Sequence, residues 1–412
     1  MHLNSFIPQK HNIKAILRKL MPAANVCRIE KGMVRMMQNS NRITIKKENA
    51  PIYDIVLAED YNPFLIELEA LKLAGRKVCI VTDSNVSKLH LNNLLEIVKD
   101  YARVVETFTF PAGEDSKTLA TVELLYEKLI QSNFDRNDML FALGGGVVGD
   151  LTGYAAATYL RGIAFLQIPT TLLACVDSSI GGKTGVDFKA YKNMVGAFHQ
   201  PRLVYMNLAL LNTLDDRQFC NGMGEVIKHG LIRDIEYYKW LKGNRDTILR
   251  RDPQALKEMV LRSCEIKQEV VEIDPKEKGI RALLNFGHTL GHSVERLMEF
   301  KLLHGECVSI GMVAAAYLSQ VHGYLNKDDV TEITETFISF HLPVNLTDTD
   351  IPSEEFLRVC FHDKKVDGNL IKFILLKEKG NAVIDTTVSR EDILEAVNCM
   401  KKTNLSEAIC EN

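Results

Sequence analysis

The sequence predicts a parallel α/β half followed by a mainly α-helical half. Three observations carry this. Short apolar runs alternate with helical stretches from about residue 52, a glycine-rich turn directly follows one run, and long helical patterns succeed one another after about residue 211. At 412 residues the chain exceeds one usual compact domain, so two are expected. Hydrophobic residues make up 46% and charged residues 25%, which excludes a disordered, collagen-like or coiled-coil chain. The longest apolar stretches, such as 308–318, fall short of a membrane span.

Residues 1–50 differ from the rest. They carry ten Lys/Arg against two acids, a balance of +8, whereas the remaining chain stands at -11. Ile13, Ile16, Leu17, Leu20 and Met21 recur at helical spacing opposite Lys14, Arg18 and Lys19, and Pro22 stops the pattern. The expectation is a poorly ordered basic extension; a targeting helix, or a true start at Met33, Met36 or Met37, is the alternative. Buried strands are expected at 52–57, 77–81, 104–108, 138–143 and 164–168, with helices at 86–99 and 116–131. Helices are then expected at 221–241, 253–272, 281–300, 304–321 and 330–340, and late strands at 370–376 and 382–384. The resulting organisation is an extension (1–50), an α/β domain (51–210), a helical domain (211–401) and a tail (402–412). Nine cysteines without a CxxC pair or a secretory leader suggest reduced thiols and a cytoplasmic setting.

Gly144, Gly146 and Gly149 satisfy GxGxxG between an expected strand and helix, the context in which backbone approaches a pyrophosphate and a helix start stabilises its charge. The ribose-binding acid usual about 20 residues later is missing; the next acid after Asp150 is Asp177, although Asp83 ends an earlier strand. This suits a nucleotide site outside the common dehydrogenase arrangement. Gly181-Gly182-Lys183-Thr184 invites a P-loop reading, which fails because its first glycine would have to be Asp177.

Arg281, Asn285, His288 and His292 fall at 0, +4, +7 and +11, one face of a continuous helix. A solvated stripe is normally rich in Lys and Glu. This one holds Arg, Asn and two His, with Gly287 and Gly291 among them as if something must approach closely. His304 opens the next expected helix, and Glu225 lies on its own helix with Lys228 one turn on. Two His and one Glu make a three-ligand zinc set with an open position. The further charges Arg161, Lys192, Lys267, Glu277, Lys364 and Lys365, together with Asn193, suit a small, multiply anionic substrate. The acidic balance outside the extension argues against nucleic acid as a partner.

Eight ordered blocks complete this reading: PAGEDSKT, GGGVVGDLTGYAAATYLRG, QIPTTLLACVDSSIGGKTGVD, KNMVGAFHQP, NGMGEVIKHGLIRD, LNFGHTLGHSVE, HGECVSIGM and DKKVDG. Through them the chain resembles the 3-dehydroquinate synthase family of sugar phosphate cyclases, from about residue 52 to 400. The resemblance implies a Rossmann-like NAD domain followed by a helical metal-binding domain, a homodimer, and no membrane or nucleic-acid partner. It implies NAD contacts at Asp83, Asn85, Gly113, Glu114, Lys117, Gly145, Gly146, Val147, Val148, Gly149, Asp150, Thr170, Thr171, Lys183, Lys192, Leu210, Leu211 and Thr213. It implies zinc or cobalt ligands at Glu225, His288 and His304. The implied substrate set is Asp177, Lys183, Asn193, Lys228, Lys267, Arg281, Asn285 and His292, joined by Lys364 or Lys365. Glu277 resembles a carboxylate that holds the site together, and Arg161 an arginine lent across a dimer interface. The implied reaction is a redox-neutral phosphate elimination and ring closure, a carbon–oxygen lyase activity in aromatic amino-acid biosynthesis. Cys175, Gly224, His229 and Gln218 depart from the family's usual Gln, Ala, Tyr and acid. A cyclase for another sugar phosphate, or a related NAD-dependent polyol dehydrogenase, is the competing reading.

Overall fold

The computed structural model describes residues 41–401 apart from 190, 276, 278, 300, 347–348 and 364–371. The expected basic helix near residues 13–21, the alternative starts, Lys364, Lys365 and the tail therefore lie outside the described residues. In chain order the strands of the first half are β1 (Arg42–Lys47), β2 (Ala50–Ala58), β3 (Lys77–Asp83), β4 (Val104–Phe110), β5 (Met139–Gly144), β6 (Ala164–Pro169), β7 (Lys183–Phe188), β8 (Tyr191–Phe198) and β9 (Leu203–Asn207). Seven of them form one sheet in the order β1-β2-β9-β6-β5-β3-β4, and every pairing from β2 to β4 is parallel.

Parallel strands covered on both faces need apolar residues at every position, which is why these runs are legible. Along β3, Val78 and Ile80 pack toward α1 (Asn62–Leu71) and α2 (Asn92–Val98). Cys79 and Val81 face the other way, toward α3 (Leu119–Gln131) and α4 (Gly146–Thr158). The order of strand addition reverses between β3 and β5: β4 follows β3 on one side, and β5 returns to the other. The crevice outside the carboxyl ends of such neighbours is where open α/β sheets take ligands.

The second half contains α5 (Asp216–Arg233), α6 (Ile235–Gly243), α7 (Arg245–Leu249), α8 (Pro253–Ile273), α9 (His288–Leu297), α10 (His304–Val321), α11 (Lys327–Ser339), α12 (Ser353–Asp363) and α13 (Arg390–Lys401). A hairpin of β10 (Phe373–Glu378) and β11 (Asn381–Asp385) completes it. Every residue of α10 from Gly305 to Ser319 is buried, so it is the central helix around which the others pack. Tyr53, Ile55 and Leu57 of β2 and Val204 and Met206 of β9 belong to this same core. One end of the sheet is thus embedded in the helical half.

Several expectations are corrected. β1 falls in the stretch read as extension: Ile43 and Ile45 are buried, a two-residue alternation too short to stand out among charged neighbours. The β7–β8 hairpin was not expected at all. Its glycine-containing strands, β7 buried only from Thr184 to Val186 and β8 exposed or half-buried throughout, lack the continuous apolar run of a buried strand. The single helix expected at 221–241 is two, broken at Asp234, whose extended backbone ends α5 and whose carboxylate accepts from Tyr237 N at 2.9 Å to start α6. The helix expected at 281–300 is broken as well. A 3-10 turn (Ile280–Asn285) precedes Gly287 at φ +77°, and α9 begins only at His288. Arg281, Asn285, His288 and His292 therefore do not share one helical face. The position requires glycine, because a Cβ there would lie 2.3 Å from Met312 Cγ and left-handed backbone disfavours other residues.

Asp234 also accepts from Arg262 Nη2 at 3.1 Å. Asp234→Ala should cost about 1 kcal/mol, read as a lower urea midpoint at unchanged m value.

Candidate active site

Three helices deliver three metal-type donors to one point. Glu225 projects from the middle of α5, while His288 and His304 are the first residues of α9 and α10. Glu225 Oε1 stands 3.6 Å from His288 Nε2 and 3.8 Å from His304 Nε2. Donors each about 2.1 Å from a common ion stand about 3.4 Å apart, so the spacing fits a divalent cation. Among the described residues Glu225 Oε1 is buried without a hydrogen-bond partner, and such an oxygen is costly unless a cation faces it. Each imidazole is oriented from behind. His288 Nδ1 lies 3.1 Å from Phe286 O, and His304 Nδ1 3.6 Å from Glu295 Oε1, leaving both Nε2 atoms toward Glu225. Burial, then Lys228 and the other two histidines, lowers His288 well below its ordinary value, which favours the neutral imidazole that a metal would need.

The helices meet closely enough because glycine stands at the crossing. A Cβ on Gly305 would lie 1.9 Å from Asn221 O, and Gly305 N donates to Asn221 Oδ1 at 2.6 Å. Leu303 N donates to Glu306 Oε2 at 2.8 Å, which caps the turn that carries His304.

Around this centre the charges are paired. Lys228, one turn after Glu225, donates to its second oxygen, and Lys267 of α8 donates to Asp177. Burial opposes a charge on Asp177, yet Lys267 and then Lys228 hold its carboxyl well below the usual range. Lys183 and Asn285 both donate to Glu277, Asn285 at 2.8 Å. Arg281 is buried, with Nη1 donating to Pro275 O at 2.9 Å. The ring of His292 lies 5.2 Å from that of His288 and 5.9 Å from that of His304. Asp177, Glu225 and His229 also bring donor atoms within 4.8 Å of one another. There, however, Lys228 and Lys267 already supply the positive charge that a second cation would bring.

The cofactor residues expected from sequence gather at the carboxyl edge of the sheet. Asp83 ends β3 and Asn85 follows it; Gly113, Glu114 and Lys117 follow β4; Gly145 to Asp150 follow β5 and start α4; Thr170 and Thr171 follow β6. Leu210, Leu211 and Thr213 lie in the 3-10 turn (Leu208–Thr213) after β9. Asp83 closes its own turn by accepting from Asn85 N and Val86 N at 2.8 and 3.0 Å. Gly181-Gly182 leads into strand β7 rather than a helix, so a P-loop is excluded by structure too.

The chain matches two family models, "3-dehydroquinate synthase N-terminal" over residues 107–221 and "3-dehydroquinate synthase C-terminal" over 222–366. A 3-dehydroquinate synthase of Acetivibrio thermocellus is 44% identical over 345 residues, 84% of this chain and 95% of the relative. The chain belongs to the 3-dehydroquinate synthase family. Its fold is also that of solved sugar phosphate cyclases. ValA, a 2-epi-5-epi-valiolone synthase from Streptomyces hygroscopicus with NAD+ and Zn2+ bound, is 28% identical over 87% of this chain and 98% of its own, at a TM-score of 0.79. A 2-deoxy-scyllo-inosose synthase complexed with carbaglucose-6-phosphate, NAD+ and Co2+ shares the fold at a TM-score of 0.74 and 24% identity, over 86% and 99% of the two chains.

In this member of the 3-dehydroquinate synthase family two lysines connect the parts of the site. Lys117 donates to Asp150 Oδ2 at 2.7 Å and Asn193 Oδ1 at 2.6 Å, joining the glycine turn to β8. Lys192 donates to Glu295 Oε1 at 2.8 Å, joining β8 to the histidines. Arg161 is not brought to the cluster. It is exposed beyond the far end of α4, about 20 Å along a 13-residue helix from the glycine turn. Glu295 was missed by sequence reasoning, although its place seven residues after His288 was the available signal. Burial works against its charge, but His304 and then Lys192 bring its carboxyl down to about 2.

His288→Ala should lose bound metal and activity while far-UV circular dichroism stays native; a stoichiometric metal content would remove His288 from the ligand set. Glu295→Gln should keep the site but weaken metal about 10–100-fold in competition with a chelator.

Proposed function

We propose that this chain converts 3-deoxy-D-arabino-heptulosonate 7-phosphate into 3-dehydroquinate and phosphate, the ring-closing step toward chorismate and the aromatic amino acids. The observation that carries this is the buried Glu225–His288–His304 centre with Lys228, Lys267, Arg281 and Lys183 in the same cleft, linked through Lys192 and Lys117 to the glycine turn. Glu225, His288 and His304 hold zinc or cobalt, and the loops after β3 to β6 and β9 hold NAD. When bound, NAD takes up and returns a hydride at C5 and the divalent ion withdraws charge from the C5 oxygen, leaving the reaction redox-neutral.

The chain's own residues do the rest. The planar fork of Arg281 suits the substrate carboxylate, and Lys183, half exposed and steadied by Glu277, suits the phosphate. Asn285 is turned by Glu277 toward the same cleft. Lys228 and Lys267 compensate Glu225 and Asp177, so the hydroxyl-bearing carbons meet a charge-balanced wall. His292 relays the proton removed beside the transient ketone, and elimination of phosphate then opens the way to intramolecular aldol closure. The activity is that of a phosphate-eliminating carbon–oxygen lyase, and the reduced thiols suit the cytoplasm.

A homodimer accounts for Arg161 and for the apolar surface beside it. Leu160, Phe188, Tyr191, Met194 and Phe198 are all exposed, Met194 at 68% and Phe198 at 61%. Such a patch is unusual on a monomer, and a second copy would cover it while lending Arg161.

Purified protein with NAD, zinc and the heptulosonate phosphate should release phosphate and form dehydroquinate in equal amounts, with no accumulation of NADH. Turnover only with another sugar phosphate, or net NADH from an alcohol, would replace this reading. Arg161→Ala and Lys267→Ala should each be nearly inactive. Mixing and reassociating them should restore about a quarter of wild-type activity through the one intact site of each mixed dimer.

A further inference from the structure

Strand β2 belongs by topology to the cofactor half, yet one of its side chains reaches the substrate side. Tyr53 is 4% exposed and packs in the core of the helical half. Its hydroxyl accepts a hydrogen bond from Gly181 N at 3.1 Å. Gly181 has φ +99°, a conformation that favours glycine, and a Cβ there would lie 2.7 Å from Arg281 Nη2. The Gly181 backbone therefore lies directly on the guanidinium. The other side of that group is fixed by Pro275 O, which accepts from Nη1 at 2.9 Å. Two residues on, Lys183 opens β7.

The hairpin carrying Tyr53 is itself tied to α8, the helix of Lys267. Lys46 N donates to Glu272 Oε1 at 2.7 Å, and Gln268 Nε2 donates to Thr44 O at 2.9 Å. Burial, the largest influence, raises the phenol far above its ordinary value, so the hydroxyl stays un-ionised and the contact persists across the working pH range. A phenylalanine would fill this core position almost as well by volume. What the hydroxyl adds is a fixed acceptor for one backbone N–H that no strand or helix satisfies.

We propose that Tyr53 is a positioning residue for substrate recognition: its hydroxyl seats the Gly181 turn on Arg281 and so sets the direction in which the guanidinium fork meets the substrate carboxylate. This rests on the reading of Arg281 as the carboxylate partner. Tyr53 touches neither substrate nor cofactor and acts through Gly181.

The test is Tyr53→Phe in the full chain loaded with NAD and zinc. Losing one hydrogen bond that orients a charged contact should raise KM for the heptulosonate phosphate about three- to tenfold, with kcat within twofold. NAD affinity and zinc stoichiometry should be unchanged. A substrate analogue that keeps the phosphate but lacks the carboxylate should inhibit wild type and variant equally. Gly181→Ala, whose methyl group would press on the fork directly, should give the same split with a larger rise in KM. An equal loss for both ligands, or a fall in kcat at constant KM, would overturn the proposal and leave Tyr53 a packing residue. A wild-type enzyme inactive on this substrate would instead overturn the functional reading on which the proposal rests.

Discussion

A carboxylate buried at the crossing of three helices is the constraint on which the second half of this protein depends. Glu225 is fully buried, and among the described residues only its Oε2 has a hydrogen-bond partner, Lys228. Burying a charge in this way costs several kcal/mol unless opposite charge is brought to it. The surrounding architecture brings it from two directions, an ammonium on the same helix and, on the function proposed above, a divalent ion between two imidazoles. That demand explains why α5, α9 and α10 approach so closely, and why Gly287 and Gly305 stand where any side chain would collide with a neighbour.

From this point the charges extend outward as pairs, and each pair joins different elements. Lys267–Asp177 ties α8 to the segment after β6; Lys192–Glu295 ties β8 to α9; Lys117 ties the segment after β4 to α4 and β8. Breaking one partner of a buried pair is more damaging than the pair is stabilising, because the remaining charge is stranded. The network therefore contributes more to fixing the relative positions of cofactor loops and metal centre than to overall stability.

How much of this was legible follows from the same physics. β3, β5 and β6 could be read because a strand covered on both faces must be apolar throughout. β7 and β8 could not, since β7 buries only Thr184, Gly185 and Val186 and β8 is exposed or half-buried along its length, so neither carries such a run. The spacing of Arg281, Asn285, His288 and His292 suggested one helix, and the inference failed at Gly287. A repeat of apolar residues continues across a 3-10 turn and an α-helix alike, whereas a single positive φ leaves only a glycine behind. The same glycines were nonetheless correctly read as a sign of close approach, and what approaches is α10. Glu225 and the three histidines were legible as a candidate zinc set from residue type, and the resemblance singled out His288 and His304; spacing alone could not, because Glu225 lies 63 residues from His288 and only folding brings them together. Ion pairs such as Lys192–Glu295 join residues more than a hundred apart and leave no local trace.

The seating of β2 and β9 in the helical core has a mechanical consequence. Tyr53, Ile55, Leu57, Val204 and Met206 clamp one margin of the sheet to the helices, while β3 and β4 lie at the opposite margin. A sheet gripped along one side acts as a cantilever. Such a support holds the clamped margin more firmly than the other, where Asp83 and the turn after β4 lie. On the function proposed above, exchange of a dinucleotide and rigidity during hydride transfer fall to opposite sides of one sheet.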